Sequence, residues 1–165
     1  MRATIRRMPG FRDHGTWQDT LLRRDLPVAY LLLRLTMGFH MVAHGGVRLP
    51  ILRQFASETS TEFAAIRLVG LPLFPAWLVY PFSLSVPPVE FLVGVLLILG
   101  LKTRLASIVG SVTILLLMFG NVARVNFQTA HLMWFYVLVF VLLVAVNFAD
   151  RYSLDRIAFS SKPAR

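Results

Sequence analysis

The chain has 165 residues, 56% of them hydrophobic and only 15% charged, with 17 Lys+Arg against 8 Asp+Glu and no cysteine. A soluble domain carries about 25% charged and 45–50% apolar residues, so this composition excludes a typical cytosolic enzyme, a coiled coil and a disordered chain. The missing cysteines exclude disulfides, thiolate nucleophiles, Cys-ligated zinc and iron–sulfur clusters.

Residues 1–26 read as a basic arm holding Arg2, Arg6, Arg7, Arg12, Arg23 and Arg24. It lacks an apolar h-region and is therefore not a cleaved signal peptide. Arg23-Arg24 reads as a positive juxtamembrane flank and not as a twin-arginine signal, because no cleavage site follows. The stretch around Ile5, Met8 and Phe11 suits a short helix lying on lipid headgroups.

Four apolar segments follow, at Pro27 to Ala43, up to Leu101, at Leu105 to Val122, and at Leu132 to Phe148. The first carries Arg34 as its lone charge. The second is firm from Val86 onward but begins to turn apolar near Phe74, and a break is expected at Pro81 or at Pro87-Pro88. Each firm run is about 16–18 residues, close to the lower limit for crossing a hydrocarbon core of ~30 Å. Taken together the four predict an all-α integral membrane protein, a bundle of four transmembrane helices over residues 27–150, with a tail at 151–165. The long connection between the first and second spans shows helical spacing at Leu52, Phe55, Phe63, Ile66 and Val69. A run of small polar residues from Ser57 to Thr61 interrupts it, predicting a helical outer cap in two pieces. No internal repeat is visible, which argues against a transporter built from inverted halves.

With a cytoplasmic N-terminus, the arm, the Lys102–Arg104 turn and the tail place twelve basic residues inside. Only Arg48, Arg53, Arg67 and Arg124 fall outside. That asymmetry predicts both termini in the cytoplasm of a prokaryote, in its inner membrane. The charge is used by topology, and no aromatic-interleaved basic surface remains for nucleic acid.

Ionisable residues inside a span cost about 2.5–3.5 kcal/mol on insertion scales, so each needs a reason. Arg34 lies about a third of the way across the first helix, and His40 and His44 share one face of its outer half. Glu90 lies in the outer half of the second span, Asn121 and Arg124 close the third, and His131 opens the fourth. Glu90, His40, His44, Arg124 and His131 therefore converge by topology on the outer leaflet. Arg34 and Glu90, each the lone charge of its span, are candidates for an ion pair. Each polar residue also has a structural reading, as ion pair, interfacial hydrogen-bonder or headgroup anchor, and Tyr136 reads as packing or interfacial. A haem b between His44 and His131 is disfavoured by the little room among four short helices, and no metal site is assigned. A pocket of Glu, His and Arg suits a quinone headgroup or a small oxyanion: arginine attracts the anion, and His or Glu carries protons.

The motifs are similar to a known family. Leu33-Arg34-Leu35 with Gly38, then His44-Gly45 and Arg48, resembles the first helix of the DoxX/DoxD small membrane proteins. Pro88-Val89-Glu90, Gly94 and Leu99-Gly100-Leu101-Lys102-Thr103-Arg104 resemble that family's second helix and turn, and Ser153-Leu154-Asp155-Arg156 resembles its ending. The resemblance implies a four-helix membrane subunit of a redox system, one branch being the small subunit of thiosulfate:quinone oxidoreductase. On that reading Glu90, His44 and His40 are the catalytic candidates, and Arg34, Arg124, His131 and Asn121 bind substrate or quinone. A partner chain or a homo-oligomer is expected within the lipid bilayer. The alternative is a non-catalytic anchor or assembly subunit of a redox complex.

Overall fold

The computed structural model describes residues 20–68, 71–72 and 74–156. The amphipathic stretch around Ile5, Met8 and Phe11, and Val69 of the connection, lie outside the described residues. After a π-helical turn at Leu21–Asp25, helix α1 runs over Leu26–Arg48, with Pro27 in its first turn where no intrahelical donor is needed. A 3₁₀ turn at Leu49–Ile51 leads into α2, Leu52–Ala64. A two-residue antiparallel ladder, Arg67–Leu68 with Leu71–Pro72, precedes α3, Ala76–Leu99. Helices α4, Thr103–Ala123, and α5, Phe127–Ala145, complete the chain of long helices, and a 3₁₀ turn at Asn147–Ala149 follows.

Helices α1, α3, α4 and α5 are each long and apolar enough to cross a membrane. They run up and down around a ring: α1 packs on α3 and α5, and α4 packs on the same two neighbours. The burial pattern inverts that of a soluble domain. Trp77, Phe135, Trp134, Phe119 and Leu32 are exposed, whereas Arg34 and Glu90 are each only 2% exposed and Asp150 6%. Such a surface matches lipid, and the sparse polar groups are turned inward, as the bilayer demands.

Two expectations about helix continuity are corrected. Helix α3 is unbroken through Pro81, Pro87 and Pro88. Proline removes single i→i−4 bonds, and a membrane helix tolerates the loss when neighbouring helices support it. Nor is α2 in two pieces. It passes through the Ser57–Thr61 stretch because those side chains serve the helix: Thr61 Oγ1 donates to the Ser57 carbonyl at 2.9 Å, and Gln54 Nε2 donates to Glu58 one turn on, also at 2.9 Å.

The register of α1 against α3 is set by a close backbone approach. A Cβ on Gly94 would meet the Gly38 carbonyl and the Val42 nitrogen, each at 2.6 Å, so only glycine fits. Small residues at the crossing let membrane helices approach closely. This crossing decides which charges meet. From the Gly38–Gly94 level, Arg34 lies one turn toward one end and Glu90 one turn toward the other. At 1.5 Å per residue they are separated by about 12 Å along the bundle.

The expected Arg34–Glu90 pair is accordingly absent. Arg34 Nη1 pairs instead with Asp150 Oδ1 at 3.1 Å, and its Nη2 donates to the Tyr152 carbonyl at 2.8 Å. Thr103 Oγ1 donates to the other oxygen of Asp150 at 2.9 Å, and Asn147 Nδ2 donates to both Thr103 Oγ1 and Tyr30 Oη. Gly100 ends α3 in the left-handed conformation (φ 71°), where a side chain would strike Arg34 and Ser153. The motif segments at Arg34, at Gly100 to Thr103 and at Ser153 thus meet in one buried network, which binds the start of α4 and the end of α5 to α1.

A candidate binding cavity at the far end of the bundle

At the opposite end, α1, α2, α3, α4 and α5 enclose a cavity of about 320 Å³. That is at the lower end of the range of small-molecule pockets, about 300–1,000 Å³. Glu90, buried on α3, forms its charged floor. Arg48, on the last turn of α1, donates through Nη1 to both carboxylate oxygens, at 3.0 Å and 3.4 Å. The arginine is held from its other side by the ring of Phe55, 5.1 Å from the guanidinium carbon.

Helix α2 builds the roof by its spacing. Phe55, Thr59 and Phe63 stand at i, i+4 and i+8 on one face, and all three line the cavity. Phe63 repeats the arrangement of Phe55: Arg124, at the end of α4, lies over its ring at 5.5 Å and pairs with Glu62. Two arginine–phenylalanine contacts, about 12 Å apart along α2, therefore clasp this helix over the bundle.

The third wall is aromatic. The rings of His44 and His40 are 4.4 Å apart, and His40 is 4.3 Å from Tyr136 of α5, each pair tilted. His40 is half-buried and His44 exposed. Asn121 completes the lining, its Nδ2 donating to the Leu117 carbonyl at 2.9 Å and contacting Met133 Sδ. Asn126 caps α5 by accepting from the Thr129 backbone N–H at 3.3 Å and also faces the cavity.

Among the residues singled out from the sequence, the structure brings Glu90, His40, His44, Arg124 and Asn121 to this one cavity. It does not bring His131 or Arg34. His131 is exposed on the second turn of α5, and Arg34 is committed to Asp150 at the other end. The sequence pattern puts Arg48 outside the span and Tyr136 among packing or interfacial residues, yet both line the site. The signal for Arg48 was present: on a helix it lies one turn beyond His44, on the same face. No group of three or more His, Cys, Asp or Glu side chains suited to a metal occurs among the described residues.

The fold and this cavity define a class: a four-span membrane protein with a charged, ring-lined chamber closed by a short helix between its first two spans. The sequence pattern of the DoxX family matches residues 29–123, which takes in α1 through α4. The chain belongs to the DoxX family. No curated protein and no solved structure matches it.

Proposed function

We propose that this chain is the membrane subunit of a redox system and that the cavity between α1, α2, α3, α4 and α5 binds a quinone headgroup. The observation that carries this reading is the convergence, in one cavity, of a buried carboxylate, two arginines, two histidines and a tyrosine. The positive-inside asymmetry supports a reading with both termini in the cytoplasm of an inner membrane, in which the cavity would lie in the outer leaflet.

Quinone reduction takes up two electrons and two protons. Arg48 and Arg124 would attract the negative charge that builds on the quinone oxygens, and guanidinium geometry suits paired oxygen acceptors. Glu90, His40 and His44 are groups able to hold and pass the protons. Asn121 and Tyr136 supply further hydrogen-bonding groups that orient the ring. The chain has no cysteine to carry sulfur covalently. The electrons would come from a reduced sulfur species such as thiosulfate, bound by a partner chain.

The test is quinone-dependent electron transfer in membranes carrying Glu90→Leu or His44→Leu protein that still inserts and accumulates. The expected result is loss of at least 90% of the activity in both. Full activity in both variants would sink the site and leave the chain as a non-catalytic anchor for its redox partners.

A further inference from the structure

The polar cavity has a second chamber beside it. An apolar space of about 260 Å³ lies between α2, α3 and α4, and Phe55, Thr59, Phe63 and Leu117 belong to the walls of both. The α2 face that roofs the polar chamber thus also forms a side of the apolar one. Beyond these shared residues the second chamber is walled by phenylalanine, leucine and valine side chains, with Ser83 as its single additional polar group. Ser83 is 2% exposed, and its hydroxyl has no hydrogen-bond partner among the described residues. A void of this size with hydrocarbon walls is a poor site for ordered water, which needs two to four polar partners.

A polar chamber bordered by an apolar one that shares its walls suits an amphiphile, a polar ring carrying a hydrocarbon chain. We propose, resting on the reading of the polar cavity as a quinone site, that the apolar chamber holds the part of the quinone's hydrocarbon chain next to the ring. The site would then select membrane-soluble, chain-bearing quinones over ring-only quinones and small soluble anions. Lipid is as apolar as the chamber, so the selectivity arises from fit and from tethering of the ring, not from transfer out of water. Helix α2 is the element that reads both halves of such a ligand: Phe55 and Phe63 hold the arginines above the ring and also border the chain.

The experiment compares two probes on the purified full chain in lipid nanodiscs: a dimethoxy-methyl-benzoquinone with no chain, and the same ring carrying a decyl chain. Wild-type protein should bind the decyl form at least tenfold more tightly. Ser83→Leu and Val86→Phe, which fill the apolar chamber, should remove that advantage while changing ring-only binding less than twofold. Ser83→Ala, which leaves the chamber open, should keep it. Should the filling variants fail to fold, a decyl-type probe with a photoreactive group on its chain should label the Val79–Val86 segment of wild-type protein. Equal binding of both probes to wild type would overturn the chain site and leave the ring site standing. Binding of neither would overturn both. Labelling only of the exposed Trp134–Phe135 surface, or recovery of stoichiometric phospholipid in place of quinone from the purified protein, would also overturn the proposal.

Discussion

Removing either member of the buried Arg34–Asp150 pair should be costly, and removing both should be much less so. Deleting one partner of a buried ion pair typically costs about 3–5 kcal/mol, because the other charge is left uncompensated. The structure ranks the two deletions. Arg34→Leu leaves Asp150 still held by the Thr103 hydroxyl at 2.9 Å, so the cost should lie near the lower end, ~3 kcal/mol. Among the described residues, Asp150→Leu leaves Arg34 with only the Tyr152 carbonyl at 2.8 Å and an Nε that is already unpartnered. A guanidinium keeps its charge, so this deletion should approach ~5 kcal/mol. The double variant strands neither charge and should cost about 2 kcal/mol or less, below either single change, so the two losses are strongly non-additive. Reversible unfolding in mixed micelles by added SDS, followed by tryptophan fluorescence, measures all four species. The control cycle is Arg34→Leu with Glu90→Leu, whose side chains lie at different levels and should add within about 0.5 kcal/mol. Additivity between Arg34 and Asp150, or strong coupling between Arg34 and Glu90, would refute the register described above.

Gly94→Ala should destabilise the protein by about 1–3 kcal/mol in the same assay, because the new methyl meets backbone atoms of α1 that have no rotamer to change. Glu62→Ala should alter stability by less than ~1 kcal/mol, since the carboxylate is half exposed. It should nevertheless raise the affinity for an anionic probe measured by calorimetry, by freeing Arg124. His131→Ala should leave ring-only quinone binding within twofold of wild type, whereas Arg48→Leu should weaken it at least tenfold. Reporter fusions after Arg12 and after Arg165 should both read as cytoplasmic, and fusions near Glu58 as external.

The spans were legible because hydropathy alone specifies them, and so was the convergence of Glu90, His40, His44 and Arg124 on one end, which follows from alternating helix direction. Pairing was not legible, because it depends on the register of one helix against another. Depth counted from helix ends put Arg34 within a few residues of Glu90. The Gly38–Gly94 contact, which no hydropathy profile reveals, separates them by two turns. Asp150 carries no signal in the sequence because it stands just past the last apolar run, at the boundary between bundle and tail. Its burial arises only when that segment folds back beneath α1 and the Gly100 turn. The prolines of α3 were read by the rule for isolated helices, which omits the support that packed neighbours give.

The distance along the chain between Arg34 and its partner has a consequence for biogenesis. The two are 116 residues apart, and Asp150 is made only after α5. At about 5–20 residues per second, the intervening synthesis takes on the order of 10 s. Throughout that interval the first helix carries an uncompensated arginine at the membrane. Arg48 waits a shorter time, since Glu90 follows it by only 42 residues. The nascent chain therefore gains these two neutralisations in sequence, that of Arg48 first and that of Arg34 only once α5 has been made.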